Sequence, residues 1–187
     1  MLKNHVYYCK KIKDKIKIDG KLDEKIWAKI KSAGAFEFPW SKKGDLKQTT
    51  SAKLAWDSEY LYVGYFADDI DIQSINRGRK GSVWQDDCVE IFINTNPKGK
   101  DYFGFEVNAL GNLLDYKARF YRKFDYKWKC KGIRVATYIK QSHYFTAEIA
   151  IPFSSLKKYP KDGTRWKMAL NRCDYNLSDK KRNCDCT

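Results

Sequence analysis

The run Trp84-Gln85-Asp86-Asp87-Cys88-Val89-Glu90-Ile91-Phe92-Ile93 joins a large flat ring, two aspartates and a strand-like segment. Side chains alternate along a strand, so Val89, Ile91 and Ile93 share one face and Cys88, Glu90 and Phe92 the other. A second run, 102–109, repeats the pattern: Phe103, Phe105 and Val107 on one side, Tyr102, Glu106 and Asn108 on the other. If the two runs pair as a hairpin across the turn at 94–99, then Glu90, Glu106 and Asn108 share an outward face near Trp84 and Tyr102. That chemistry suits a hydroxyl-rich ligand. Carboxylates and amides hydrogen-bond to hydroxyls, and aromatic plates pack against C–H faces. An edge indole beside solvated glutamates on a half-exposed strand gives the same pattern. Two carboxylates are also what a glycoside hydrolase needs, so Glu90 and Glu106 form a candidate catalytic pair. That chemistry requires one acid raised by burial in a cleft, and nothing in the pattern marks one.

The elements that must hold these residues are mostly strands. Residues 1–14 read as a lysine-rich lead-in, and 16–18 as a short strand ending at Asp19-Gly20. Ile26, Trp27 and Ile30 fall at helical spacing behind Asp23 and Glu24, which predicts one short helix over 22–31. A polar loop follows at 41–50. Strands are expected at 52–56 and 60–67, joined by a turn at Asp57-Ser58-Glu59, the second apolar on both faces and so central. A charged loop then delivers Trp84. Further strands are expected at 87–93, 102–109, 113–118, 133–139, 144–151 and 166–172, with 119–131 a basic aromatic loop. Pro152 closes its strand because it lacks an N–H for the ladder. The fold class is therefore all-β: an antiparallel β-sandwich of two sheets, immunoglobulin-like or jelly-roll-like, with one short N-terminal helix. Residues 15–175 form the domain, and 176–187 a tail.

At 187 residues the chain suits a single domain with a substantial core. The net charge of +14 admits anionic partners, but the excess is lysine, 29 against 8 arginines, scattered along the whole sequence. No zinc-finger spacing, RNP motif or arginine-rich arm argues for nucleic acid. Arg77, Arg79, Lys80, Arg119, Arg122 and Lys123 flank the polar face, so a basic module for anionic polymers, acidic polysaccharide or nucleic acid, is the alternative function. Six cysteines make no CxxC pair and only two histidines accompany them, which argues against structural zinc. Cys88 and Cys173 read as small buried hydrophobes, and Cys184-Asp185-Cys186 as a frayed end. No segment has transmembrane length, and no signal-peptide core follows Met1-Leu2-Lys3-Asn4.

Six motifs in order resemble a family 9 carbohydrate-binding module over about residues 14–175. They are Ile18-Asp19-Gly20-Lys21-Leu22-Asp23-Glu24-x-x-Trp27, Lys53-Leu54-Ala55-Trp56-Asp57-Ser58-Glu59-Tyr60-Leu61-Tyr62-Val63, Trp84-x-x-Asp87-x-Val89-Glu90-Ile91-Phe92, Phe105-Glu106-Val107-Asn108-x-x-Gly111, Glu148-Ile149-Ala150-Ile151-Pro152 and Trp166-x-x-x-x-Asn171-Arg172. The resemblance implies a non-catalytic β-sandwich that grips the ends of glucan or xylan chains, or small sugars, in carbohydrate catabolism beside a glycoside hydrolase. By position, Trp84 matches one of two clamp tryptophans and Glu90 a hydroxyl-binding carboxylate. Asn108 and Asn171 match polar strand positions, and Glu106 stands where some members place arginine. The matching Trp-containing loop and last strand of the family are not found before Thr187, so the second clamp residue is either missing or replaced by one such as Trp128, Tyr126 or Tyr175. Structural calcium is also implied, with Asp68, Asp69 and Asp71 as hard oxygen donors. An extracellular or cell-surface location is implied too, while the sequence as written carries no export signal, which leaves the cytoplasm open.

Overall fold

A computed structural model describes residues 6–34, 36, 48–141, 143–176 and 181–186. Most of the polar loop expected at 41–50, the first five residues of the lead-in and part of the tail lie outside the described residues. The strands are β1 Lys10–Lys11, β2 Thr50–Trp56, β3 Tyr60–Asp68, β4 Cys88–Asn94, β5 Asp101–Asn108, β6 Leu113–Arg119, β7 Lys123–Asp125, β8 Arg134–Lys140, β9 Tyr144–Pro152, β10 Lys167–Asn176 and β11 Lys181–Cys186. They form two sheets, of order β1-β2-β3-β9-β8 and β11-β10-β4-β5-β6-β7. All pairings are antiparallel except β1 with β2. The expected sandwich is present, with β3 central as its two-sided apolar pattern requires.

Two helical turns, α1 at Lys25–Ala28 and α2 at Phe153–Leu156, complete the regular structure with a 3-10 turn at Val83–Gln85. The helix expected over 22–31 shrinks to one turn: Leu22 takes φ 55° and Glu24 is extended with ψ 137°, so no helical turn forms before Lys25. Residues 16–18, expected as a strand, form none, and the short strand of this stretch is β1, within the expected lead-in. Three further expectations are corrected. The second helical turn, α2, follows Pro152; the basic loop contains β7; and the residues read as a frayed end form β11 on the β10 edge.

The inter-sheet core follows the period-two phase read from the sequence. Val63, Tyr65, Ala147 and Ile149 from one sheet meet Val89, Ile91, Phe105, Val107 and Leu170 from the other, all buried. The Tyr65 hydroxyl crosses between sheets and donates to the Glu90 carbonyl at 2.6 Å, fixing β4 at the residue of interest.

The outer face of the five-stranded sheet is closed by the chain's own N-terminal stretch. Ile12, Ile16, Trp27 and Ile30 pack on Ala55, Tyr62 and Ala150. Glu148 organises this layer, accepting from the Asp19 and Gly20 amides at 2.9 and 2.8 Å and from Trp27 Nε1 at 2.9 Å. A Cβ on Gly20 would stand 2.4 Å from the Thr137 backbone, and its φ is +86°, so only glycine fits that turn.

Candidate functional site

The outer face of the six-stranded sheet is where the polar residues converge. Glu90 pairs with Glu106 across β4–β5, and Asn171 with Glu90 across β10–β4. Direct cross-strand partners share a face, so Glu106, Glu90 and Asn171 form one row. Asn108, Cys88 and Cys173 form the next. Leu114, Tyr116 and Ala118 of β6 extend the same face.

The row is recessed rather than open. Glu90 is 8% exposed and Glu106 5%. Glu90 Oε2 accepts from Asn171 Nδ2 at 3.2 Å, and Glu106 Oε1 accepts from the Tyr116 hydroxyl at 3.0 Å. Burial raises the Tyr116 phenol far above its ordinary value, and the neighbouring Glu106 adds to this, so it stays a neutral donor. Tyr116 was not singled out in the sequence, although continuing the period-two phase into 113–118 places it on this face.

Aromatic rings surround the carboxylates. Phe124 and Tyr126 stack with centroids 5.4 Å apart, and each meets Tyr116 edge-on, at 5.1 and 5.5 Å. Tyr102 lies 6.5 Å from Tyr116 and 6.1 Å from Phe92. Above them, Val83 of the 3-10 turn is buried against Cys88, Leu114, Tyr116 and Cys173. That anchor leaves the adjacent Trp84 43% exposed. Beyond Phe92 and Tyr102 the face runs into an open depression lined also by Lys100, Phe120, Lys167 and Met168.

The expected residues divide into two groups. Glu90, Glu106 and Asn171 share a row, with Tyr102 on the adjacent ring layer and Trp84 on the turn that covers the face. Asn108 is on the right face but is wholly buried and structural in its contacts. Its Nδ2 donates to Asn76 O at 2.9 Å and Asp86 Oδ2 at 2.7 Å, and its Oδ1 accepts from the Asn112 amide at 2.9 Å. It thereby holds the loop that presents Trp84. Of the three second-clamp candidates, Trp128 packs on Phe103 and Phe105, the inter-sheet side, at 5.0 and 6.1 Å. Tyr126 is exposed on the polar face. Tyr175 donates its amide to Asp87 at 2.5 Å.

The basic loop before Trp84 is held by Asp115, which accepts from Arg79 Nη2 at 2.5 Å, the Cys130 amide at 2.6 Å and Lys80 at 3.0 Å. Arg79 and Lys80 are thus engaged in structure.

At one end of the sandwich, Asp69, Asp87 and Asp174 bring buried carboxylate oxygens within 4.8 Å of one another. Among the described residues, Asp69 alone of the expected Asp68, Asp69 and Asp71 joins this group; Asp68 instead accepts from the Thr49 hydroxyl. Fully buried Arg172 donates to Asp69 Oδ2 at 3.0 Å and to Asp174 Oδ1 at 2.9 Å. The guanidinium bonds to two of the three carboxylates. Burial pushes Asp87 up to about 8, helped by Asp69 and Asp174. Burial pushes Asp69 up to about 6 despite Arg172. The excess of negative charge and the all-oxygen donor set fit a hard divalent cation. Asp87 and Asp174 escaped the sequence reading because they are far apart in the chain and point inward.

A family model described as "Carbohydrate family 9 binding domain-like" matches residues 18–185. The chain is 28% identical over 159 residues to the exoglucanase XynX of Acetivibrio thermocellus, and 27% identical over 161 residues to an endo-1,4-beta-xylanase A of Thermoanaerobacterium saccharolyticum. Each match covers 85% of this chain but spans only 13% of the relative. Among solved structures, a family 9 carbohydrate-binding module from Caldicellulosiruptor kristjanssonii, in complex with cellotriose, superposes with a TM-score of 0.70 at 21% identity. That likeness, over 95% of this chain and 80% of the other, is one of fold.

Proposed function

Because the chain belongs to the carbohydrate family 9 binding-domain family, we propose that it binds carbohydrate without cleaving it, on the outer face of its six-stranded sheet. The observation that carries this reading is the Glu106–Glu90–Asn171 row lying under an aromatic layer, with the exposed Trp84 on the turn above. Trp84 supplies one stacking plate, Tyr126 with Phe124 the second, and the recessed carboxylates take hydroxyls. Glucan or xylan ends and their small oligosaccharides are the ligand class. The module works outside the cell beside a glycoside hydrolase, which supplies the cleavage.

The test is calorimetry with cellotriose and xylotriose. At least one is expected to bind, and Trp84→Ala is expected to lower affinity at least about tenfold, the loss of roughly 1.4 kcal/mol of stacking, with the fold unchanged by circular dichroism. Unchanged affinity in that variant overturns the site. A protein that ignored both neutral sugars but bound acidic polysaccharide with a steep salt dependence would instead be an anion-binding module. Turnover of either sugar that Glu90→Gln removed would make it an enzyme.

The calcium reading belongs to Asp69, Asp87 and Asp174, held in place by Arg172. The ion would neutralise their excess charge and tie the loop after β3 to β4 and β10.

A further inference from the structure

We infer that the outer face of the six-stranded sheet also carries a thiolate metal site, formed by Cys88, Cys173 and Glu90, for a soft or borderline divalent ion such as zinc. Cys88 and Cys173 are direct cross-strand partners. Their sulfurs and a Glu90 carboxylate oxygen lie within 4.8 Å of one another, and all three residues are buried. Glu90 Oε1 is 3.4 Å from Cys173 Sγ and 4.0 Å from Cys88 Sγ. A tetrahedral zinc with Zn–S near 2.3 Å and Zn–O near 2.0 Å spans ligand-to-ligand edges of roughly 3.5–3.8 Å, so the donors stand within about 1 Å of ligand spacing. Asn171 Nδ2, on Glu90 Oε2, orients the carboxylate as outer partners of metal ligands do.

The donor set is distinct in kind from the aspartates at the sandwich end. Two thiolates and one carboxylate select zinc, cadmium or cobalt over calcium. The ion displaces the two thiol protons, and its charge stabilises three anions that would otherwise be costly at this depth. The backbone also brings two further cysteines to the neighbouring strand, which the test must separate from the site. The β11 register sets Cys184 opposite Cys173 and Cys186 opposite Asn171. Four of the six cysteines therefore hold positions in three adjacent strands around Glu90. Spacing rules miss this arrangement because the donors come from different strands.

The reduced full-length protein, titrated with cobalt or cadmium ions, is expected to develop a near-ultraviolet thiolate charge-transfer band that saturates at one equivalent. X-ray absorption of the zinc-loaded protein is expected to show at least two sulfur neighbours near 2.3 Å. C88S/C173S is expected to abolish the band, C184S/C186S to retain it, and Glu90→Gln to weaken binding at least tenfold. If C88S/C173S does not fold, the zinc spectrum of the unaltered protein decides. Fewer than two sulfur neighbours, or a band that survives C88S/C173S and follows Cys184 and Cys186, overturns the site. A Cys88–Cys173 disulfide found by non-reducing peptide mapping of zinc-loaded protein also overturns it. Glu90 is shared with the proposed carbohydrate face, but the thiolate band is read without sugar, so either reading fails independently of the other.

Discussion

A Cβ placed on Gly104 would stand 2.4 Å from the Tyr116 ring and 2.7 Å from its hydroxyl oxygen. Gly104 is thus the flat spot on which the ring lies while its hydroxyl reaches Glu106. Gly104→Ala is expected to displace that ring, cost about 1–3 kcal/mol in urea unfolding and weaken cellotriose binding. Retained affinity would show that the Tyr116–Glu106 contact plays no part in ligand capture. At this scale the sequence was informative about faces and poor about contacts. The pairing of Glu90 with Glu106 followed from alternation and a turn of fixed length. The commitment of Asn108 to Asn76 and Asp86 did not, because those partners sit in a loop whose path no local pattern encodes. Trp128 was ambiguous for the same reason: an indole reads alike as a ligand plate and as a plug against Phe103 and Phe105.

Strands and turns owe their placement to a few buried carboxylates. Asp57 closes the β2–β3 turn by accepting from the Glu59 and Tyr60 amides, both at 2.7 Å, and from the Tyr62 hydroxyl at 2.9 Å. Burial alone would raise its pKa, but these donors and Lys15 outweigh it and hold the carboxyl below its usual range. Asp115 behaves alike, with burial opposed by Arg79, the Cys130 amide and Lys80. A depressed native pKa contributes stability that is complete above the ordinary aspartate value and lost as pH falls through the native one. Glu148 runs the other way. Burial raises it despite three donors, so stability declines as pH rises from the ordinary glutamate value to the native one. Thermal melts are therefore expected to show acid destabilisation that Asp115→Asn reduces. In Glu148→Gln the decline with rising pH just above the ordinary glutamate value is expected to vanish. Unaltered profiles would assign acid sensitivity elsewhere. Glu148→Ala orphans three donors and is expected to cost about 3 kcal/mol, read by urea unfolding. The turn at Asp57 was legible because Asp-Ser-Glu interrupts two apolar runs. The single turn of α1 and the strand β11 were not. Contacts to Glu148 set the path before α1, and Lys181-Arg182-Asn183 lacks the apolar alternation that marks a strand.

The sandwich as a whole was the most legible feature, since nine short strand-like segments with turn signals between them have few other ways to bury their apolar faces. What joins its two sheets at one end was not visible. Arg172 lies inside, donating to Thr50 and the Asp68 carbonyl from one sheet's strands and to Asp174 on its own. If calcium completes this end, saturating ion at about 100 times Kd stabilises by about 2.7 kcal/mol, or roughly 5–10 °C in Tm for a chain of this size. Chelation is expected to reverse that shift, and Asp87→Asn to abolish it. A melting point indifferent to calcium and chelator would remove the ion from the account. The N-terminal layer held by Glu148 has one more consequence. By occupying one of the two broad surfaces, it makes the molecule single-sided. A sugar held on the opposite sheet face then lies on the far side from Trp27, so a probe attached to Lys25 or Lys29 is expected to leave binding undisturbed.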